Sequence, residues 1–420
     1  MNRIPKDTAR ILIGILTFSL LFVAPAFAAS DKLTFLVIGI DAEGLEVTLE
    51  RFTELTGIEV EVLRSTTWDA QRERVQVMTL GGVAPDVVYV DSATYNYLLL
   101  QNLAMPLDDY IARDNIDVSR YPQAVLDFWY YQGSLYGLPT ALSLHTTYYN
   151  VDQYRAAGVP EPPIDWDGDE WLWDEFVQTM RRLTVDTDGD GVPERYGLQT
   201  FGWGGGANHI GLWGQYWVNE DVTEWYGDRP EVIAALEKTV GLRTVDKVIG
   251  GNLVNGTAAT NVAQSNYLNF LFDSDTTVNW NVAAMPKGTH RASQTGFHGI
   301  SVARFAPNPE GAWQLVKFLA YDTEGAVLFS RAENRVPVLR ETGQDFIERY
   351  ADSVIPVENL GSMIQATNYV YNLRYTRHPR GNEIYQLLNS MHTPLVSGQK
   401  SVRVMLEEIS QQARAIIADW

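Results

Sequence analysis

Beyond residue 31, the spacing of hydrophobic positions switches repeatedly between a strand pattern and a helix pattern. Residues 32–40 form an almost continuous apolar run, residues 44–56 have helical spacing, and residues 58–63 alternate between apolar and polar. Residues 71–80 are again helical in spacing, and residues 87–90 form a third apolar run. Strands that alternate with helices predict an α/β fold, with a mostly parallel sheet covered by helices on both faces.

Two later segments are extended and differ from these units. Residues 137–149 mix apolar and polar positions, and residues 278–285 form a second stretch of this kind, so we expect both to cross between two parts of the fold. The rest of the chain predicts a strand at 299–303 and helices at 309–320, 384–396 and 402–420. A chain of 420 residues exceeds the size of a single core, which stops growing at around 250–300 residues, so two domains are expected.

The N-terminal segment has the pattern of a secretory signal peptide. Arg3, Lys6 and Arg10 precede an apolar run at residues 11–23, and small residues follow around Ala28. The alternative is an uncleaved membrane anchor, but the run is shorter than the roughly twenty residues that a membrane-spanning helix needs. We therefore expect residues 1–28 to be removed by cleavage near Ala28.

Composition restricts the compartment and the partners. The chain has no cysteine, so it forms no disulfides and has no thiol for lipid attachment behind the signal. Because an exported protein without a lipid anchor stays near the cell only behind an outer membrane, we expect the periplasm. The net charge of −20 disfavours nucleic acid and anionic membranes, because contacts with phosphates need clustered Lys and Arg.

A series of motifs follows one another along nearly the whole chain. They are GGVAPDVVYV at residues 81–90, GLPTALSLHTTYYNVDQYRAAGV at 137–159, WDEFVQTMRRLT at 173–184, VNWNVAAMPKG at 278–288, GFHGISV at 296–302, NPEGAWQLVKFLAYDTEG at 308–325, NRVP at 334–337, HPRGNEIYQLLNSM at 378–391 and SGQKSVRVMLEEISQQARAII at 397–417. In this order, behind a signal peptide, they resemble the family 1 extracellular solute-binding proteins, the group that includes maltose-binding protein.

The resemblance implies a periplasmic-binding-protein-like fold of two α/β lobes that close on a ligand by a hinge. The first lobe would comprise residues 29–142 and 286–335, and the second residues 143–285 and 336–420. The implied function is that of a monomeric, non-catalytic receptor of an ABC importer. It would capture a mono- or oligosaccharide and deliver it to the permease subunits in the inner membrane.

Three segments depart from the family pattern and leave the ligand open. They are the acidic and aromatic insertion at 165–173, the sequence NGTAAT at 255–260, and the glycine-rich and aromatic stretch at 201–217. Two ligands of other classes therefore stay open, a glycerol phosphodiester and a polyamine. The alternative from another functional class is a secreted glycosidase, because paired carboxylates and many aromatic residues would suit it. No G-x-S-x-G, H-E-x-x-H or Walker motif occurs.

A sugar presents hydroxyl edges and flat C–H faces, so its site needs aromatic platforms together with carboxylates, amides and arginine. Open α/β sheets bind ligands beyond the carboxyl ends of their strands. On these grounds we expect ligand contacts from Asp41, Trp68, Asp91, Tyr95, Trp203, Trp213 and Trp217. Phe297 and His298, which lie between two glycines at the entrance of a strand, and Arg335, which precedes Val336 and Pro337, are further candidates. The family resemblance implies a contact from Tyr267, because it follows a segment whose counterpart in the family approaches the cleft. For Asp41 and Asp91 the alternative is helix capping, and for Trp68 it is packing at a helix start. Trp203, Trp213, Trp217 and the neighbouring Tyr216 surround the glycines at 204–206, and a packed loop is the alternative there.

The sequence DTDGDGVPE predicts a structural calcium site. Its candidate ligands are Asp186, Asp188, Asp190, the carbonyl of Val192, and Glu194. Alternate oxygen ligands on a tight turn converge on one point, as a hard cation requires. Position twelve of such a loop is Gly197 instead of a bidentate Glu, so another segment would have to complete the shell. The alternative is a solvated turn held by its own Asp side chains. Residues 165–169 match a calcium loop less well.

Overall fold

The computed structural model describes residues 32–202, 204–350 and 359–419. The expected signal peptide at residues 1–28 and Trp203 lie outside these ranges. Within them, no helix is both long and apolar enough to cross a membrane.

The strands in the described part of the chain include the predicted apolar runs and several further segments. They are β1 (Lys32–Val37), β2 (Glu59–Arg64), β3 (Val87–Asp91), β4 (Tyr130–Tyr131), β5 (Ser134–Leu135), β6 (Leu138–Asn150), β7 (Tyr196–Phe201), β8 (Ala258–Gln264), β9 (Trp280–Ala283), β10 (Ser293–Val302), β11 (Val336–Pro337) and β12 (Val370–Tyr371). The three strands predicted before residue 91 are confirmed. The strand predicted at 299–303 is the end of the longer β10.

Helices make up much of the rest of the described chain. They are α1 (Ala42–Thr56), α2 (Trp68–Leu80), α3 (Ser92–Leu100), α4 (Asp108–Arg113), α5 (Gln123–Trp129), α6 (Val151–Ala157), α7 (Trp173–Leu183), α8 (Pro230–Thr244), α9 (Tyr267–Asp273), α10 (Pro309–Ala320), α11 (Thr323–Glu333), α12 (Thr342–Glu348), α13 (Leu360–Gln365), α14 (Gly381–Ser390), α15 (His392–Val396) and α16 (Val402–Ala418). Short 3-10 helices occupy Val118–Arg120, Gly204–Trp213, Ala366–Asn368 and Arg374–Arg377.

Local chemistry explains several helix ends. The carboxylate of Asp41 accepts a hydrogen bond from the N–H of Gly44 at 2.7 Å and caps α1, which ends at Gly57 with a left-handed φ of 75°. Asn308 caps α10 in the same way, and Pro309 occupies the first turn, where its missing N–H costs nothing. The helix predicted at 309–320 is therefore confirmed, whereas the one predicted at 384–396 is divided into α14 and α15.

One mixed sheet runs through the molecule in the order β2-β1-β3-β10-β6-β8-β7. β1, β2 and β3 are parallel, β10 is antiparallel to both β3 and β6, and β8 is antiparallel to β6 and parallel to β7. The carboxyl ends of β1, β2 and β3 therefore meet at one edge.

β6 carries the chain from one part of the sheet to the other. Its residues 138–144 pair with β10, and its residues 145–149 pair with β8, which confirms the extended crossing predicted at 137–149. Within the described residues, β9 pairs with the C-terminal half of β6 alone. β10 begins beside β12 and then pairs with the N-terminal half of β6 and with β3, so the chain returns along β10, downstream of the predicted 278–285.

Three apolar clusters form the core of the described residues. One lies between β1 and β3 and the helices α1, α10 and α11, and includes Trp313 and Phe329. A second contains Trp217 and Trp225 and joins the segment before α8 to α14 and α16. The largest runs beneath β6 and β10, so it supports the strands that cross between the two parts of the sheet.

Candidate functional site

A groove of about 640 Å³ opens at the carboxyl ends of β1, β2 and β3. Its first wall is formed by residues that follow these strands, including Trp68, Arg72, Asp91 and Tyr97. Its second wall comes from residues 373–386, which are distant in sequence. Open α/β sheets bind ligands in such a crevice.

Trp68 supplies the aromatic surface of the first wall. It is the first residue of α2, and the hydroxyl of Thr67 fixes the helix start by accepting from the N–H of Ala70 at 3.0 Å. The indole is half-buried, and its ring centroid lies 5.8 Å from that of Tyr89 and 6.0 Å from that of His298. One side of the indole is thus supported by packing, while the residue lines the groove.

Asp91 both caps a helix and lines the groove. Its carboxylate accepts from the N–H of Thr94 at 2.8 Å, and burial raises its pKa above the usual range. Arg72, which lies on the same wall, forms an ion pair with Asp69 and donates to the hydroxyl of Thr94 at 3.3 Å. The groove therefore holds one guanidinium together with two carboxylates.

The second wall was missed by the sequence analysis. It consists of the 3-10 helix Arg374–Arg377 and the start of α14, which place Thr376, Asn382 and Gln386 at the groove. The amide of Asn96 on α3 donates to the hydroxyl of Thr376 at 3.2 Å and joins the two walls. The polar positions at the start of α14 were a signal for this wall. Helical spacing could also have placed Arg72 beside Trp68, four residues earlier.

His298 is brought directly beside Asp91, because the two residues are opposite each other in the pairing of β10 with β3. Its Nε2 lies 3.0 Å from the hydroxyl of Ser143 on β6. Burial, reinforced by the nearby charge of Arg335, lowers the pKa of His298 well below its usual value, so the imidazole is neutral at neutral pH.

Two further expected residues lie near this edge in different roles. The guanidinium of Arg335 donates to the carbonyl of Glu333 at 3.0 Å and is half-buried. Asp41 is exposed and caps α1, and it does not line the groove. Asp41 therefore caps a helix, which is the alternative given above to a ligand contact.

The structure places three expected ligand contacts in the core instead. Tyr95 is fully buried and donates its hydroxyl hydrogen bond to the carbonyl of Trp129. The Phe297 ring stacks on Phe128 with centroids 4.2 Å apart, because successive residues of β10 face opposite sides of the sheet. Trp217 is 2% exposed and stacks on another indole of the second core cluster.

Trp213 and Tyr216, two described aromatic residues after β7, lie in a packed segment. The half-buried Trp213 lies against Trp173, with centroids 4.9 Å apart. Tyr216 stacks on Tyr371 at 4.8 Å, and the guanidinium of Arg374 covers it at 3.4 Å from the ring centroid. Trp213 and Tyr216 therefore belong to a packed loop, the alternative given above to ligand contact. Trp203 lies outside the described residues.

A smaller cavity of about 240 Å³ lies at the carboxyl ends of β7 and β8. Tyr267, an expected ligand contact, lines it together with His145 and Gln264. The ring of the buried His145 lies 4.7 Å from that of the buried His209. Burial lowers the pKa of His145 to about 4 and that of His209 well below its usual value, so both are neutral at neutral pH.

Comparison with known proteins decides the family. Residues 40–324, more than half of the chain, match the model of the bacterial extracellular solute-binding proteins. The chain belongs to this family. A curated binding protein of Brucella abortus is 30% identical over 100 residues, which is 24% of this chain and 24% of that relative. The match thus spans about a quarter of the curated relative's length.

Solved structures resemble this solute-binding protein over most of its length. MalE, the sugar-binding protein of Xanthomonas citri, has a TM-score of 0.76 at 18% identity and covers 92% of this chain and 98% of its own. An ABC substrate-binding protein of Listeria monocytogenes in complex with cycloalternan has a TM-score of 0.71 at 21% identity, over 91% and 98%. UgpB of Mycobacterium tuberculosis in complex with glycerophosphocholine has a TM-score of 0.72 at 19% identity, over 92% and 98%. These similarities confirm the predicted two-lobed, periplasmic-binding-protein-like α/β fold.

In this solute-binding protein, the family departure at 165–173 is a packed structural segment. The indole N–H of Trp166 donates to the hydroxyl of Ser362 at 2.9 Å, and the buried guanidinium of Arg291 donates to the carbonyls of Asp165 and Glu170. The side chain of Asp165 accepts from Gln365 at 3.0 Å. The carboxylates at 165–169 thus have protein partners, and in the described ranges they are not among the acidic groups close enough to hold a metal.

The predicted calcium loop brings three of its carboxylates together. Oxygens of Asp186, Asp188 and Glu194 all lie within 4.8 Å of one another at an exposed position, and Asp190 is not part of that group. Backbone N–H groups of the loop already hydrogen-bond these side chains, for example Gly189 to Asp186 at 2.7 Å and Thr187 to Glu194 at 2.7 Å. The hydrogen bonds from the backbone N–H and the hydroxyl of Thr187 lower the pKa of Glu194. An all-oxygen set of this kind suits a hard cation.

Proposed function

We propose that this protein is the exported receptor of an ABC importer and that it captures a carbohydrate in the groove at Trp68. The observation that carries the proposal is the composition of this groove. Trp68 supplies an aromatic surface on one wall. Hydrogen-bond donors and acceptors lie on both walls, which come from distant parts of the chain. A sugar needs this combination, because its C–H faces stack on rings while its hydroxyls both donate and accept hydrogen bonds.

The charges of the groove favour a neutral polyol over the two alternative ligand classes. A phosphodiester would need cationic or backbone donors in excess, but Arg72 is already paired with Asp69, and Asp91 adds a second carboxylate. A polyamine would need carboxylates for which no guanidinium competes. In this groove the guanidinium of Arg72 competes for them. UgpB, bound to glycerophosphocholine, keeps the phosphodiester as the second candidate.

A thermal-shift screen tests the ligand class. The purified protein, with residues 1–28 removed, is heated with maltose, maltotetraose, α-D-tagatose and glycerophosphocholine. Stabilisation by a saccharide, with no shift for glycerophosphocholine, supports the proposal, because a ligand that binds only the folded state raises the melting temperature. A shift with glycerophosphocholine alone would replace the sugar by the phosphodiester.

The proposal includes no catalysis, which separates it from the glycosidase alternative. A receptor returns every oligosaccharide unchanged after long incubation, whereas a glycosidase shortens it. Chromatography of maltotetraose after overnight incubation with the protein decides between the two.

Capture would proceed by hinge closure of two discontinuous lobes, residues 29–142 with 286–335 and residues 143–285 with 336–420. The same proposal places the protein as a monomer in the periplasm, with its signal peptide cleaved near Ala28 and its closed form delivered to permease subunits in the inner membrane. N-terminal sequencing of the secreted protein tests the cleavage point, and a first residue other than Ala29 would shift it.

We also propose that calcium binds at residues 186–194 in a structural role. The three carboxylates within 4.8 Å of one another support this, since their oxygens lie close enough to face one cation. Asp190 and the carbonyl of Val192 are the further candidate ligands from the sequence. The ion would stabilise the turn and take no part in ligand transfer.

A further inference from the structure

Glu333, the last residue of α11, is a buried carboxylate that the sequence analysis did not select. It is 2% exposed and lies in the core next to the strands that carry the groove. Its Oε1 accepts hydrogen bonds from the hydroxyl of Tyr89 at 2.6 Å and from the hydroxyl of Thr140 at 2.8 Å. Its second oxygen, Oε2, is buried and has no hydrogen-bond partner in the described part of the protein.

A second buried polar atom without a partner belongs to a residue that packs on the ring of Tyr89. The imidazole of His298 stacks on the Tyr89 ring with centroids 6.0 Å apart and planes inclined by 11°. Its Nε2 contacts Ser143, but its Nδ1 is buried and unpartnered among the described residues. Trp68, which lines the groove, packs against both of these rings.

Both residues contact Tyr89, and their two unpartnered polar atoms need an explanation, because nearly all buried polar atoms in folded proteins have a partner. Each loses its hydrogen bonds to water without a replacement, and the loss is largest for a charged oxygen. Burial raises the pKa of Glu333, and the nearby charge of Arg335, whose guanidinium donates to the backbone carbonyl of Glu333, opposes this rise. The other ionisable groups facing this point are Tyr89, Asp91 and His298.

We infer that Glu333 and His298 form a specificity-determining subsite beneath Trp68, whose unpartnered oxygen and nitrogen bind hydroxyl groups of the captured sugar. The inference rests on the proposed function and adds to it the side-chain groups that recognise the hydroxyls of the sugar. A movement of the Trp68 indole during closure uncovers the subsite. A hydroxyl donates to Oε2 of Glu333, and a hydroxyl serves Nδ1 of His298 as donor or acceptor, whichever tautomer is present.

The substitution Glu333→Gln separates this role from a structural one. Gln keeps the shape of the side chain and an acceptor for Tyr89 and Thr140, but it replaces Oε2 by an NH₂ group that can only donate. Because Gln conserves the volume and keeps the acceptor for these two hydrogen bonds, we expect little change in the melting temperature. Because an NH₂ group cannot accept a hydrogen bond from a sugar hydroxyl, one contact is lost, and we expect sugar affinity to fall by about tenfold. Glu324→Gln, on the exposed face of the same helix, is the matched control.

Affinities for maltose, maltotetraose and α-D-tagatose are measured by calorimetry on the wild type and both variants. The best-binding sugar is then tested as a series of singly deoxygenated analogues. One analogue should lose affinity for the wild type and for Glu324→Gln, but not for Glu333→Gln, since removing either partner breaks the same bond. Unchanged sugar affinity in Glu333→Gln, at an unchanged melting temperature, overturns the inference and leaves the proposed function standing. A wild type that binds no sugar overturns both.

Discussion

Replacing Trp68 by alanine separates a ligand-binding aromatic residue from a core one. The indole is half-buried against Tyr89 and His298 and lines the groove with the rest of its surface. If a sugar covers about 100 Å² of this ring, the contact contributes roughly 2.5 kcal/mol at about 25 cal/mol per Å². Because each 1.4 kcal/mol or so changes a dissociation constant tenfold, Trp68→Ala should weaken binding by about fiftyfold or more.

The effect on stability should be much smaller. Thr67 still caps α2, and alanine favours the helix, so the folded state loses only the packing of one half-buried ring. Trp217→Ala provides the contrast, because that indole is 2% exposed and stacked in the core. Truncation of a buried Trp typically costs about 3–5 kcal/mol of unfolding free energy. It should leave the sugar affinity of the remaining folded protein unchanged.

The assay measures two quantities for each variant, the midpoint of thermal unfolding and the dissociation constant of the sugar found by screening. Trp68→Ala should move mainly the second and Trp217→Ala mainly the first. A Trp68→Ala protein that loses stability as Trp217→Ala does, yet keeps wild-type affinity, would refute the placement of the ligand at this groove.

Further outcomes follow from other parts of the molecule. If calcium binds the turn at 186–194, a chelator should lower the melting temperature, because a ligand present at a hundredfold its dissociation constant adds roughly 2.7 kcal/mol to the free energy of unfolding. Asp188→Ala should abolish this difference, and a melting curve that does not respond to the chelator contradicts the site. His145, His209 and His298 have lowered pKa values when folded, so below the unfolded value of about 6.5 the unfolded state binds more protons and stability should fall as the pH decreases. Unfolding measured between about pH 7.5 and pH 5 checks this, and His145→Gln should flatten the slope. Tyr95→Phe should cost about 1–3 kcal/mol, because the buried carbonyl of Trp129 loses its hydrogen bond, and should not alter sugar affinity; a specific loss of affinity would return Tyr95 to the site.

Periodicity predicted the fold well wherever local interactions determine the structure. The alternation of apolar runs and helical spacing up to residue 91 located β1, α1, β2, α2 and β3, because each element carries its own apolar pattern and both helices have their own capping residue. Asn308 and Pro309 fixed the start of α10 in the same way. Where the spacing did not specify a break, as between α14 and α15, one long helix was predicted instead of two.

The candidate site was predicted less completely, because exposure at a groove depends on contacts between distant segments. The position after a strand selected both Asp91 and Tyr95, but Tyr95 lies on the side of α3 that packs on Trp129. In the same way, Phe297 and His298 are neighbours in sequence, and the alternation of β10 sends one to the core and the other to Trp68. The second wall, residues 373–386, approaches the first only through tertiary contacts such as that of Asn96 with Thr376.

Native mass spectrometry of the protein after incubation with a mixture of oligosaccharides and glycerophosphocholine tests the central claim most directly. It reports the mass of whatever the folded chain retains, and so identifies the class of ligand and any chemical change to it. The account predicts one intact saccharide per chain, lost on Trp68→Ala. Retention of glycerophosphocholine in place of a sugar, release of shortened saccharides, or no retained ligand at all would contradict it.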